Sequence, residues 1–302
     1  MVVVTGTKRS GTSLWMQILI AAGLDYIGSP YLGKWEKSIK SANPNGFFES
    51  ILRKGIFYAT NPHPKTGVYL HPNQHQKTAV KVFIPGLVKS DHAFLNRVIG
   101  TIRPWREYTQ SLRRLYSMER QYIAQIESNA EKPFSPLELW ELNQPLLHPA
   151  LEWWKENYAL ILDFSKRRYA FNLSSYVKLQ EDPASVVNPV LEWIGEPPMN
   201  DFSGLVNPQH RTQKWSEVTD SPLTSKQEMV FDELHSVFYR GEPLSKSMVE
   251  MLNQMDDELY PLIEEGTKAL KSKKLRALQE KGLLDFDLEA ALLKIQEEQH
   301  KV

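Results

Sequence analysis

The short run Met1–Val4 passes at once into Gly6-Thr7-Lys8-Arg9-Ser10-Gly11-Thr12-Ser13 and then into an apolar segment. In that segment Leu14, Ile18 and Ala22 recur at helical spacing, and Gly23 offers a stop. Strand, glycine-bearing loop and helix in immediate succession open a βαβ unit, which needs a parallel neighbour for its strand. This confines the chain to the α/β class and places a loop rich in donors at the start of a helix.

The later pattern repeats the alternation. Residues 28–48, ending in the NPNGFFE stretch, read as loop; Thr78–Ile84 and Arg97–Ile102 read as buried strands. A helix is expected from Trp105 past Tyr122, another over Pro149–Phe164, a strand at Tyr169–Leu173, and a helix over Pro183–Gly195 that Pro189 should bend or reset. The expected fold is a P-loop-like parallel sheet flanked by helices on both faces, with a helical C-terminal extension. From about Leu223 the composition turns to helix formers without a strand, dividing the chain into an α/β part, 1–222, and an extension, 223–302, packed on it or used for assembly. Lys268, Lys271, Lys273, Lys274 and Arg276 form either a solvated helix face or a binding patch.

Charge and cysteine narrow the function classes. Lys+Arg and Asp+Glu number 36 each, so the net charge is zero, which argues against a nucleic-acid coat or a polybasic membrane binder but leaves a local phosphate pocket open. With no cysteine, disulfides, thiolate metal sites and thiol catalysis are excluded. No stretch approaches ~18 consecutive apolar residues, and the N-terminus does not read as a secretory signal. A cytoplasmic protein is expected.

A glycine turn opening a helix aims backbone N–H groups and the helix's positive end at an anion. Thr12 and Ser13 add hydroxyls, and Lys8 and Arg9 add charge; the plainer alternative is an ordinary turn with two exposed cations. A nucleoside triphosphate loop places lysine directly after its second glycine, whereas Thr12 stands there and the cations precede Gly11. Asp163, ending ALILD, is the candidate magnesium carboxylate of a kinase, but Leu151, Trp154, Tyr158 and Ile161 around it have helical spacing, so it reads as closing a helix.

The segment KRSGTSL resembles the 5′-phosphosulfate loop of sulfotransferases that use 3′-phosphoadenosine 5′-phosphosulfate (PAPS). Arg9 falls on the family's basic position, flanked by Lys8 and Ser10, and Gly11, Thr12 and Ser13 on the rest. Arg103, at the end of a strand, with Ser111 eight residues later on the next helix, resembles the family's 3′-phosphate segment. The stretch Tyr176–Pro183 followed by LEWIG, and the loop VNPQHRT with Arg211 near the cofactor, are further similarities, so that the resemblance spans Met1 to Thr212. It implies that PAPS binds along the carboxyl edge of the sheet, that 3′-phosphoadenosine 5′-phosphate (PAP) is the product, and that no metal is required.

Sulfuryl transfer needs cations where charge accumulates and a base for the acceptor's proton. Arg9 is the expected stabiliser of the leaving phosphate. Small-molecule sulfotransferases carry their histidine in a Lys-Thr-His-x-Pro stretch. Here Lys81-Val82-Phe83-Ile84-Pro85 aligns, with Phe83 in the histidine's place. Glu49, in a segment that resembles one in many bacterial sulfotransferase-like proteins, is the substitute base; beside Phe47 and Phe48 it should be desolvated and more basic. Its alternative role is a helix-terminal acid facing the macrodipole. Lys81 is either a second cation on the sulfuryl group or a snorkelling lysine. His71 and His75 are rivals for the base, in a polar loop whose Pro72 disfavours helix. The acceptor is expected to be a small molecule or carbohydrate bearing a hydroxyl or amine. Trp105, Trp140, Trp153 and Trp154 are either stacking surfaces for it or core. A P-loop phosphotransferase and a non-catalytic assembly protein, homo-oligomeric through its C-terminal helices, stand as alternatives.

Overall fold

The computed structural model describes residues 1–32, 35–126, 132–207, 211 and 217–283. The tail from 284 on, and 208–210 and 212 of the VNPQHRT loop, lie outside the described residues.

Five parallel strands form one sheet in the order β2-β3-β1-β4-β5: β1 (Val2–Gly6), β2 (Asp25–Ile27), β3 (Thr78–Lys81), β4 (Arg97–Ile102) and β5 (Phe171–Ser175). Central β1 pairs with β3 through Val3↔Val80 and with β4 through Val3↔Val98. The two-residue period of a strand sorts its side chains: Val2 and Val4 pack on one face with Trp15, Ile18, Ile99 and Leu191, whereas Met1 and Val3 pack on the other with Leu87, Val98 and Leu160. Both faces are therefore covered, which is why these strands read as unbroken apolar runs.

One-turn helices α2 (Trp35–Ser38) and α3 (Ile84–Leu87) precede the long ones. Helix α1 (Thr12–Ala21) follows β1, and α4 (Trp105–Ile123) follows β4. They go to opposite faces, since α1 belongs to the cluster of Val2 and Val4 and α4 to a third cluster. This reversal opens a crevice at the carboxyl ends of β1, β3 and β4.

The third cluster joins α4, α6 (Pro149–Arg167), α9 (Ser225–Arg240) and α10 (Lys246–Glu280). Phe231 of α9 stacks on Trp153 and Trp154 with ring centroids 5.2 and 4.8 Å away, and meets Trp105 edge-on at 5.9 Å. Three of the tryptophans considered as stacking surfaces are thus core. Helix α10 brings Met248, Leu252, Met255 and Leu259 to the same cluster at three- and four-residue spacing. Its basic stretch is partly tied to α5 (Pro136–Leu142) and the turn after it: Lys273 donates to the Glu141 carbonyl at 3.0 Å and Lys274 to Asn143 at 3.0 Å.

Several boundaries differ from expectation. The strand at Thr78 ends at Lys81, because Pro85 sits in the first turn of α3. Strand β5 starts two residues later than read, after α6 has run on to Arg167, so Asp163 lies inside the helix rather than closing it. Three-residue β2, with two exposed positions, carries no apolar run to betray it. Pro189 does not reset α8 (Pro183–Ile194), which continues through it before α8 ends at Gly195, φ 82°. The neighbouring Asn188 holds Met199 by two hydrogen bonds of 2.9 and 3.1 Å, pinning that turn. Among the described residues no helix is long and apolar enough to cross a membrane.

Candidate functional site

The loop between β1 and α1 is built tight. A Cβ on Gly6 would come within 2.6 Å of the Thr101 carbonyl, so only glycine lets the turn approach β4. Gly11, at φ 103°, is the N-cap of α1 and lies under the Tyr176 ring at the start of α7 (Tyr176–Glu181). Arg9 has φ 67°, a left-handed conformation unusual for a side-chain-bearing residue. The strain is held in place from β4: Thr101 Oγ1 donates to the Ser10 carbonyl at 2.9 Å, and Arg103 donates to the Arg9 carbonyl at 3.2 Å. The first helical bond runs from Trp15 N–H to the Gly11 carbonyl, 3.2 Å, which leaves the N–H groups of Thr12, Ser13 and Leu14 without helical acceptors at the positive end of α1.

This loop floors a cavity of about 800 Å³. Arg9, Glu49 and Lys81 all line it, as do Lys8, Gly11, Thr12, Ser13, Arg103 and Ser111. Arg9 and Ser111, 102 positions apart, meet directly: the guanidinium Nε donates to Ser111 Oγ at 3.1 Å, and another nitrogen donates to the Ala42 carbonyl at 2.9 Å. Burial first, then the cations of Arg103 and Arg114, push the Arg9 guanidinium down to about 10. It stays charged, in surroundings that an anion would relieve.

The second cluster sits at the end of β3. Lys81 Nζ donates to Glu49 at 2.9 Å, to the Phe47 carbonyl at 3.0 Å and to Ser13 Oγ at 3.1 Å. Burial lowers the Lys81 ammonium, and Glu49 works in the opposite direction. Lys81 is 2 % exposed, so it does not snorkel. The backbone of Glu49 is fixed by paired hydrogen bonds to Ser29 of 2.9 and 3.0 Å. The environment expected for its carboxyl, two aromatic rings, is replaced by two cations, because Arg53 donates to its other oxygen at 2.8 Å. Arg53, four residues after Glu49, was not foreseen; the spacing alone could have pointed to it.

Two expected ligands stand apart from the cavity wall. Ser10 is fully buried, and its hydroxyl donates to the Thr7 carbonyl at 2.7 Å as a brace within the loop. Arg211 pairs with Glu107, whose Oε2 accepts from Arg211 Nε and from Arg103 Nε, each at 3.3 Å. It therefore sits one side chain behind Arg103, which also packs 5.0 Å from the Tyr176 ring centre. The carbonyl of Arg103 is held by Trp153 Nε1 at 2.8 Å.

The rival bases and the kinase carboxylate are elsewhere. His71 lies edge-on to Tyr69 and His75 faces Thr78, neither on the cavity. Asp163 accepts from Arg167 at 2.6 Å and from the Tyr169 hydroxyl at 3.0 Å, also off the cavity. Among the described residues no group of three His, Asp or Glu is placed to hold a metal ion. Not foreseen were Glu152 and Glu156, which face the cavity from α6; their only signal was two acids one turn apart on a helix otherwise read as core.

The fold and cavity define an α/β protein with a cation-rich cleft at the carboxyl edge of a parallel sheet. Compared with known protein families and with curated proteins, the chain matches no family model and no characterised protein.

Proposed function

We propose that this chain is a PAPS-dependent sulfotransferase that moves a sulfuryl group to a hydroxyl or amine and leaves PAP. The observation that carries the reading is the convergence of Arg9, Arg103 and Ser111 on the wall that also presents Ser13, Lys81 and Glu49. Two anion cradles thereby share one cavity, of a volume within the range of small-molecule sites. The residues present fit a bisphosphorylated carrier: first-turn N–H groups and the Thr12 and Ser13 hydroxyls for the 5′ end, Arg103 and Ser111 for the 3′ end. The bound carrier supplies an activated sulfuryl group joined to a good leaving phosphate.

Arg9 neutralises charge that develops on that phosphate as the bridging S–O bond breaks. Lys81, whose three N–H groups go to Glu49, the Phe47 carbonyl and Ser13, adds its positive charge beside the sulfuryl group rather than a further hydrogen bond. Glu49 receives the proton from the acceptor as the acceptor's oxygen or nitrogen bonds to sulfur, and the electron pair of the broken bond goes to PAP. Lys81 and Arg53 hold the carboxylate in position, each occupying one acceptor direction of an oxygen that has two.

PAP binding by calorimetry is the test, followed by transfer from labelled PAPS to an acceptor panel. Arg103→Ala and Ser111→Ala are each expected to weaken PAP at least tenfold, as loss of a charge-assisted hydrogen bond of roughly 1.5–3 kcal/mol requires. Glu49→Gln is expected to bind PAP and fail to transfer. PAP affinity indifferent to both phosphate-site variants overturns the reading.

A further inference from the structure

Arg103, Glu107 and Ser111 follow one another at four-residue steps from the end of β4 into α4, and all three are buried. Side chains four apart on a helix lie one above the other, so Glu107 stands between the two residues assigned to the 3′ end of the carrier. Its Oε2 accepts from Arg103 Nε and from Arg211 Nε, each at 3.3 Å, and its Oε1 accepts from the Arg211 Nη2. Glu107 itself lies off the cavity, whereas Arg103 lines it. Any effect of Glu107 on a ligand therefore passes through Arg103.

The Arg103 fork is fixed from several sides. Glu107 takes Nε, the Arg9 carbonyl takes Nη1 at 3.2 Å, and the guanidinium packs 5.0 Å from the Tyr176 ring centre. A guanidinium presents its five N–H donors in one plane, so holding two of its nitrogens sets the direction in which the whole fork points. Arg103 and Arg9 also crowd one wall: after burial, the Arg103 cation is the largest influence that depresses the Arg9 guanidinium. Glu107 offsets that repulsion from behind. Arg211 completes the arrangement, because the hydrogen bond to Glu107 raises its own guanidinium against burial and ties the two side chains together.

Charge alone would act the other way. A negative group one side chain behind a phosphate site repels the phosphate, so a bare charge at Glu107 weakens the site it adjoins. A carboxylate that aims the arginine strengthens it. The two roles thus differ in the sign of what removal does.

We propose that Glu107 is a positioning residue, which sets the Arg103 fork for a 3′-phosphate and so fixes the preference of the site for a nucleotide phosphorylated there, with Arg211 holding Glu107 in place. The 3′-phosphate rests on the sulfotransferase reading; the bridge between the two arginines stands on the geometry.

The experiment titrates PAP and adenosine 5′-monophosphate, which lacks the 3′-phosphate, into the full chain by calorimetry, with the thermal midpoint as the control for folding. The native chain is expected to bind PAP at least roughly tenfold more tightly than the monophosphate. Glu107→Gln must turn its amide N–H groups toward one arginine, and is expected to reduce that ratio about tenfold, the loss of one charge-assisted hydrogen bond. Unpairing a buried arginine can cost the fold, so Arg211→Gln, which leaves Arg103 its partner, is measured beside it and is expected to reduce the ratio about threefold. A ratio that holds or rises in the folded variants, including an equal loss of both nucleotides, overturns the positioning role and leaves the sulfotransferase reading in place. A native chain that does not prefer PAP removes that reading and this role with it.

Discussion

A side chain at Gly11 has nowhere to go. The residue stands at φ 103°, and an added Cβ would run into the Tyr176 ring, with Cε2 only 3.1 Å away. Gly11→Ala is expected to lose roughly 1–3 kcal/mol from the backbone alone, with the steric overlap added to it, measured by urea denaturation. Tyr176→Ala in the same chain should recover only part of that loss, since it removes the overlap and leaves the dihedral. Full recovery would show that the ring and not the turn sets the demand. Arg9 makes the complementary case: its left-handed backbone is kept by contacts from β4, and its guanidinium is thereby brought to Ser111. Neither demand shows in the composition of the loop, where Gly and Arg are ordinary residues.

At the scale of elements, α9 meets α7 and the end of β5 through polar contacts: the Tyr239 hydroxyl donates to Glu181 at 2.8 Å, and His235 meets Ser175. Ser175 caps α7 by accepting from Val177 and Lys178 N–H, so its own proton goes to His235 Nε2 at 2.9 Å. That geometry requires neutral histidine, and burial pushes the ring down to about 4 against the pull of Glu107 and Asp232, with Arg211 adding to the depression. A base depressed on folding contributes stability that is complete above its unfolded value of 6.5 and is lost as pH falls toward about 4. Thermal midpoints recorded across that window should fall more steeply for the native chain than for His235→Gln, which keeps an acceptor for Ser175 and cannot titrate. Parallel slopes would remove His235 from the acid response. Tryptophan fluorescence reports the same event, since Phe231 of α9 stacks on Trp153 and Trp154.

For the whole molecule, the helices after residue 222 complete a core rather than decorate one. Phe231, Leu234, Met248, Leu252, Met255 and Leu259 all enclose the cluster containing Trp105, Trp153 and Trp154. At ~1.5–3 kcal/mol for each large apolar side chain buried, removing six is comparable with the ~5–15 kcal/mol that holds a domain folded. A chain ended at residue 222 is therefore expected to lose its cooperative urea transition and native circular dichroism. If it melts cooperatively, the C-terminal helices are an appendage. Because Trp153 also holds the carbonyl of Arg103, the same loss should reach the candidate site from behind.

The order of strands and helices was legible because it is local: β-branched runs, glycine turns and helical spacing act within a few residues. The glycine loop before α1, and the places of Arg103 and Ser111 after β4 and on α4, were legible for the same reason, as short patterns at element junctions. Short β2, the uninterrupted course of α8 through Pro189 and the extra turn of α6 were not, since neighbouring elements overrode local preference there. Residues brought together across long stretches of chain lay further out of reach. That Arg9 meets Ser111, that Arg53 joins Lys81 on Glu49, that Ser10 turns inward, and that Arg211 serves Glu107 follow from where β3, β4 and α4 converge. The pair Glu152 and Glu156 makes the distinction plainest: along the chain it is two acids on a helix, and only packing decides that both line the cavity and that one Glu156 oxygen is shut off from solvent with no hydrogen-bond partner among the described residues.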